Sequence, residues 1–359
     1  MKNTKNTGGA IILSLSAIAM AWNAAEYAQE SNVEGYYFNK IHSSNVSRDT
    51  ASEQVNSIEK IQNNFAISHP ADKKWTQSEL LKRAKKLSTN NPQIMIDVFR
   101  SYEERSEGTN ELITRSSIFP EVQIFSQRKE SHSKVQDPTP AEFMAVWVDN
   151  KLEFVFAVST ATYRKRFVPK RQSWENPTTP AGDYDPIYLN KLHHSRTYKP
   201  VDAEIGPEMP YSIFIDDPAK ELLKSFSGYA FHGTTLSHYD ALGTPDSGGC
   251  IRLSREDAEV LFTLVNPKLE TWYRLGRWFG EEDPRNQPNK NVIELRDRFN
   301  TRVLDPEYLS QRPELENEIR LRYEPLLGYL NLSVNNNIQR SLETLALGKY
   351  RTLRENLDD

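Results

Sequence analysis

The sequence predicts a mainly β core, a sandwich or barrel-like sheet with short helices, flanked by helical N- and C-terminal segments. Three observations predict it. Between Phe119 and Leu253, short β-rich runs alternate with Pro and Gly clusters. Ahead of them, Thr76-Gln77-Ser78-Glu79 is a capping box that opens a helix. Beyond Pro306, Leu315, Ile319, Leu326, Leu330, Ile338, Leu342 and Leu345 recur at roughly helical spacing.

Each element follows from local chemistry. Trp75 and Leu80 are placed to staple the start of the first helix, which runs to about Leu87. Pro92 permits a second helix carrying Ile94, Ile96, Val98 and Phe99, so residues 71–117 read as a small helical region. The runs Val122–Phe125, Met144–Val148 and Leu152–Val158 are β-rich, and Asp149-Asn150-Lys151 makes a tight turn between the last two. Tyr211–Ile215, Tyr229–His232 and Cys250–Leu253 add three short strands. Ser254-Arg255-Glu256-Asp257 caps a helix carrying Ala258, Val260, Leu261 and Leu264. Residues 276–359 read as a helical extension that either packs on the catalytic domain or mediates self-association.

Composition narrows the function. The chain has 359 residues and a net charge of -4, and that mild acidity argues against a nucleic-acid-coating protein. Hydrophobic residues at 37% are enough for a core, which excludes wholesale disorder. Lys2 and Lys5 followed by the apolar run Ala10–Trp22 read as an export signal over residues 1–21, with Ala19-Met20-Ala21 as a cleavage site. An uncleaved anchor is the alternative. Residues 22–70 are polar and aperiodic and read as a linker.

Cys250 is the only cysteine in the sequence. A lone thiol in an exported chain is either buried and inert or kept for its reactivity. Its neighbours favour reactivity. His232 ends one predicted strand and Cys250 begins another, so a long loop can bring base and nucleophile over one cleft. Gly248 and Gly249 let the backbone bend tightly, and the amides of Gly249 and Cys250 are candidate oxyanion donors. A glycine turn with a core His and a core Cys is the bland alternative. His193 and His194 are adjacent and would face opposite ways on a strand, and no metal-ligand spacing occurs.

The stretch Phe231-His232-Gly233-Thr234 with Ser247-Gly248-Gly249-Cys250-Ile251-Arg252 resembles the L,D-transpeptidase (YkuD-type) catalytic domain family. Residues 233–246 put 14 residues between His232 and Ser247, inside the family's range. Thr179-Pro180-Ala181-Gly182-Asp183-Tyr184, His194-Ser195-x-x-Tyr198 and Met209-Pro210-Tyr211-Ser212-x-Phe214 match further pieces in order. The resemblance covers residues 118–275. The family usually has His where this chain has Gly248, which puts an auxiliary donor in doubt, and His238 in the intervening loop is a candidate substitute.

The resemblance implies Cys250 as nucleophile, His232 as general base and the Gly233 carbonyl as orienter of the imidazole. It implies a carboxylate-binding or loop-bracing role for Arg252, with a surface salt bridge as the alternative, and places Tyr211, Ser247 and Arg252 at the substrate. The implied partners are peptidoglycan stem peptides and an outer-membrane lipoprotein, with no cofactor. The implied reaction releases the terminal D-Ala through a thioester, which an amine or water then resolves. A carboxypeptidase of the same fold and a non-catalytic wall-binding scaffold are the alternatives. The chain order His before Cys argues against NlpC/P60-type endopeptidases, and sortases carry a Thr-Leu-x-Thr-Cys segment that is absent. The export signal predicts recovery in the cell-envelope fraction without residues 1–21. Fractionation with N-terminal mass analysis checks this, and a full-length cytoplasmic chain would contradict it.

Overall fold

A computed structural model describes residues 66–68, 73–105, 112–116, 118–119, 124–126, 139–216, 229–266, 272–274 and 298–355. The expected export signal and most of the expected linker lie outside the described residues, as do Val122 and Gln123.

Ten strands share one sheet: β1 (Ala66–Ile67), β2 (Ile94–Phe99), β3 (Phe143–Val148), β4 (Lys151–Ala157), β5 (Gly182–His194), β6 (Glu208–Asp216), β7 (Tyr229–Gly233), β8 (Ile251–Leu253), β9 (Trp272–Arg274) and β10 (Phe299–Leu304). Their order is β1-β4-β3-β2-β10-β5-β6-β7-β8, with β9 added on β5. β5 belongs to two half-sheets. Gly182–Tyr184 pairs with β10, and the strand from Asp185 onward pairs with β6. A register shift between Pro186 and Tyr188 marks the bend. The far ends then meet. Beyond β4, Ser159 pairs with Arg252 and Ala161 with Ser247, so the sheet nearly closes on itself.

The β3–β4 hairpin follows from its turn chemistry. Asp149 (φ 49°) and Asn150 (φ 62°) both adopt the left-handed conformation that a two-residue hairpin turn requires. Side chains of β3 alternate between two cores. Met144, Val146 and Val148 join the core covered by α1 (Gln77–Ser88) and α2 (Arg255–Val265). Phe143, Ala145 and Trp147 join a second core under α3 (Pro306–Ser310), α4 (Pro313–Tyr323) and α5 (Leu327–Glu355). The C-terminal helices therefore pack on the sheet. Among the described residues no helix is long and apolar enough to cross a membrane.

Three expectations are corrected. Residues 94–99 are not a helix but strand β2, paired with β3 and β10, and Ile94, Ile96 and Val98 show the alternation of a strand. The N-terminal region thus contributes one helix, a central strand and a small antiparallel pair, Tyr102–Arg105 with Leu112–Arg115. The C-terminal extension is likewise not wholly helical, because β10 lies between β2 and β5. The end of the expected linker also joins the sheet, as Ala66–Ile67 pairs with β4.

The second core is clamped by a buried ion pair. Arg302 on β10 grips Asp97 on β2 through Nε–Oδ1 at 2.6 Å and Nη2–Oδ2 at 3.0 Å. The Tyr323 hydroxyl donates to the same carboxylate, and Trp147 Nε1 donates to Tyr323 at 2.6 Å. Glu318 accepts from Arg302 at 3.1 Å and from Arg322 at 2.7 Å, which ties α4 to the sheet. Breaking a buried pair strands a charge and costs more than the pair is worth intact. Asp97→Ala should destabilise the protein by about 3–5 kcal/mol. Tyr323→Phe, which removes the hydrogen bond to the Asp97 carboxylate and the acceptor of Trp147 Nε1, should cost about 2–4 kcal/mol. Urea denaturation measures both, and an Asp97→Ala loss below about 1 kcal/mol would show that the clamp does not hold the helices.

Candidate active site

The turn that carries Cys250 is Ser247-Gly248-Gly249-Cys250, leading into β8. β7 and β8 run parallel, with His232 opposite Arg252. Cys250 stands two residues before Arg252, so it is a diagonal neighbour of His232. At strand spacing their Cα atoms are about 8 Å apart, within the combined reach of a cysteine and an imidazole. Cys250 packs against Ile187, Met209, Phe214 and Ala230. Ala230 shares the His232 face of β7, so thiol and imidazole lie on one side of the sheet.

His232 is 7% exposed, and its Nδ1 lies 2.8 Å from the Gly233 carbonyl. A carbonyl can only accept, so Nδ1 carries the proton and Nε2 keeps its lone pair. Burial pushes the imidazole down to about 3, against a smaller upward pull from the Gly233 carbonyl. Burial also pushes the Cys250 thiol up, only partly offset by the Ala230 amide and the charge of Arg252. The resting pair is therefore neutral thiol and neutral imidazole, not thiolate and imidazolium.

Three consecutive carbonyls of the turn each accept a hydroxyl. Tyr198 donates to Gly248 O at 3.1 Å, Thr179 to Gly249 O at 2.7 Å, and Ser247 to Cys250 O. Gly249 sits at φ 124°, a conformation only glycine adopts readily. Its amide donates to Ser247 Oγ at 3.0 Å. This corrects the sequence expectation of an oxyanion donor at Gly249, whose N–H is already engaged within the turn. Ser247 is corrected too. It is fully buried and serves the turn rather than a substrate.

A second layer holds the turn. Ser247 N donates to Thr160 O at 2.7 Å, and Thr162 N to Ser247 O at 3.0 Å. Thr160 is fixed by the buried Glu142 carboxylate, which accepts from the Thr160 amide (2.7 Å) and hydroxyl (2.8 Å) and from the amide (2.9 Å) and hydroxyl (2.8 Å) of Ser101. Arg252 Nη1 donates to Asp246 O at 3.0 Å and Oδ2 at 3.1 Å, which is the loop-bracing role. Asp246 also meets His238 at 3.1 Å and Arg166 at 3.4 Å. Burial pushes its carboxyl up, but the His238 hydrogen bond and the neighbouring charges outweigh this and hold it low. His238 is thus tied to a brace outside the turn.

Tyr211 does not join the site. It lies within β6 at φ 56°, and its side chain turns to α2, where the hydroxyl donates to Glu259 at 2.9 Å and the ring meets Phe262 edge-on. His193, which strand alternation gave no role, meets Phe214 edge-on with ring centroids 4.8 Å apart, beside the cluster that Cys250 packs on. Burial, then Arg196 and His194, pull it down to about 4. Tyr198 and Thr179 were visible in sequence only as parts of matched segments. Among the described residues no group of three His, Cys, Asp or Glu is placed to hold a metal ion.

The neutral imidazole has a consequence for stability. The unfolded chain takes up a proton on His232 near pH 6.5, whereas the folded chain does so only near pH 3. Its contribution is therefore fully present above about pH 6.5 and lost as pH falls toward 3, at about 1.4 kcal/mol per pH unit. His232→Gln should flatten the decline of unfolding free energy between pH 6 and pH 4.5 by about that slope in urea titrations. An unchanged slope would mean that the imidazole is solvated in the fold.

Residues 135–273 match the family described as the YkuD L,D-transpeptidase catalytic domain. Similar solved structures are L,D-transpeptidases. One from Xylanimonas cellulosilytica (its residues 123–326) is 16% identical over 45% of this chain and 54% of that chain, with a TM-score of 0.27. One from Mycobacterium smegmatis is 16% identical over 54% and 82%, TM-score 0.24. L,D-transpeptidase 3 from Mycobacterium tuberculosis is 16% identical over 55% and 84%, TM-score 0.24. The aligned part therefore spans about half the length of the Xylanimonas chain. No curated protein matches the chain. The turn bearing Cys250, with His232 beside it, thus lies within residues 135–273, the stretch that matches the model of the YkuD L,D-transpeptidase catalytic domain.

Proposed function

We propose that the chain is an exported peptidoglycan L,D-transpeptidase that works through a Cys250 thioester. The observation that carries this reading is the tautomer of His232. Its Nδ1 proton is committed to the Gly233 carbonyl, which leaves Nε2 as a base on the Cys250 face of the sheet.

The Cys250 sulfur attacks the carbonyl before the terminal D-Ala of a stem tetrapeptide. The thiol proton passes to His232 Nε2 as the carbon–sulfur bond forms. The carbon–nitrogen bond then breaks, and the imidazolium returns the proton to the departing D-Ala amine. The acceptor amine attacks the thioester, gives its proton to His232, and expels the sulfur, which is reprotonated. An amine of a second stem peptide yields a cross-link, a lipoprotein lysine yields a tether, and water yields the free acid. A neutral resting pair makes proton transfer part of the attack, so the imidazole is needed in every turn of the cycle. The same reading places the chain in the cell envelope, where its stem-peptide substrate resides.

His232→Ala should lower D-Ala release from a tetrapeptide stem by about 10²–10⁴-fold with the fold intact. His238→Ala, which removes only a contact to Asp246, should cost less than about tenfold, well below a general-base loss. Chromatographic quantification of D-Ala checks both, and intact-mass detection of the acylated Cys250 checks the intermediate. Comparable losses in the two variants would give His238 a share of the base role. An active His232→Ala enzyme would remove the assignment.

A further inference from the structure

Gly248 and Tyr198 compete for one space. A Cβ built on Gly248 would lie 2.3 Å from the Tyr198 hydroxyl oxygen, 2.5 Å from Cζ and 2.6 Å from Cε2. No such contact exists between real atoms, so the ring where it stands and any side chain at 248 exclude each other. The ring is also bonded there, since its hydroxyl donates to the Gly248 carbonyl at 3.1 Å. Of the three hydroxyls that pin the turn, Ser247 belongs to it and Thr179 is buried beneath it. Tyr198 reaches it from the connection between β5 and β6.

That connection is stiff at its neck. Ser195 N donates to Pro207 O at 2.9 Å, and Tyr198 N to Ser195 Oγ at 3.1 Å. A Cβ on Gly206 would lie 1.8 Å from Ser195 O, so the two strands of the neck approach as closely as backbone allows. The phenol is thus delivered from a braced base. Its surroundings are those of the nucleophile. Cys250, Arg252, Arg166 and Glu175 are the charged or ionisable groups close enough to act on it. Burial pushes the phenol up, so it remains a hydrogen-bond donor at neutral pH.

We propose that Tyr198 is a positioning residue for Cys250 and forms one functional unit with Gly248. The ring fills the place of a side chain at 248, and the hydroxyl fixes the carbonyl two residues ahead of the nucleophile. Together they set the direction of the thiol toward His232. The glycine at 248 is then a fitted part of the site, matched to a tyrosine 50 residues earlier in the chain.

The unit predicts non-additive losses. Tyr198→Ala frees the turn and should lower kcat for D-Ala release by roughly 10²-fold, with KM changed much less, because misplacing a reacting group acts on the chemical step. Gly248→Ala expels the ring and should lose about as much. The double variant should be no worse than either single one, whereas independent sites would multiply their losses. Tyr198→Phe, which keeps the ring and removes the hydroxyl, should fall between wild type and Tyr198→Ala. The turnover arm rests on the transpeptidase reading, so wild type and the same four variants are also scored by the rate of Cys250 alkylation with iodoacetamide at fixed pH. Thermal midpoints of all variants accompany both arms. If wild type releases no D-Ala but the alkylation losses are non-additive, the transpeptidase reading fails and the pair stands. If turnover is present and the losses multiply, or Gly248→Ala keeps wild-type kcat, the pair is overturned. A variant with a kcat loss that only follows its loss of folded protein would overturn it as well, and Tyr198→Phe is the variant that keeps the packing.

Discussion

Two hydrogen bonds between Ser159 and Arg252, each 2.9 Å long, set the geometry on which the rest of the site depends. They connect the end of β4 to β8, the opposite end of the strand order. Together with the bonds of Gly243 to Val158 and Glu142, they join the two half-sheets at a second place besides the bent strand β5. Next to them, the segment 159–162 runs beside the turn that carries Cys250 and supplies the Thr160 carbonyl and Thr162 amide that hold Ser247. Glu142 is buried for the same purpose. An isolated carboxylate in such a place is costly, and this one is satisfied by four donors from Ser101 and Thr160. The turn that carries Cys250 is fixed from beneath by backbone pairing and from the sides by hydroxyls. A cysteine on a glycine-rich turn would otherwise wander, since glycine has the most backbone freedom to lose.

The electrostatics match this rigidity. Burial acts on both partners in the direction of neutrality, lowering the imidazole and raising the thiol. A preformed ion pair would have to be paid for in this setting by donors to both charges. A neutral pair needs only correct aim, which is a matter of packing. The same condition explains why the Gly233 carbonyl matters. It selects the tautomer without adding a charge that would shift the imidazole strongly.

Legibility in the sequence tracked the range of the interaction. The β3–β4 hairpin was readable because Asp149-Asn150 fits its turn and both strands show β-rich runs. The Cys250 and His232 motif was readable because it lies within one short stretch. β2 was misread as a helix although Ile94, Ile96 and Val98 alternate, because Asp97 in the middle breaks a buried pattern. Arg302 hides β10 in the same way, and each charge makes sense only with the other, 205 residues distant. Within the site, residue types were visible but directions were not. Nothing local reveals that the Gly249 amide bonds to Ser247, that Tyr211 turns to α2, or that Tyr198 reaches Gly248.

The position of β2 and β10 bears on what part of this chain is a folding unit. The family match, residues 135–273, contains β3 through β9 but neither β2 nor β10. Those two strands are the middle of the sheet. Remove them, and the β3–β4 hairpin is joined to the β5–β8 half-sheet through the 159–162 crossing and the bonds of Gly243 to Val158 and Glu142, with the apolar edge of β3 open to other chains. The boundaries of the family and the boundaries of autonomous folding therefore differ in this protein. Because β10 is made last and pairs in parallel with a strand made some 200 residues before it, closure of the sheet waits for nearly the whole chain, and the high contact order makes that closure slow. Until then β2 and β3 lack their last neighbour, a period in which protection by a holdase or by rapid helix docking would decide the yield of folded protein.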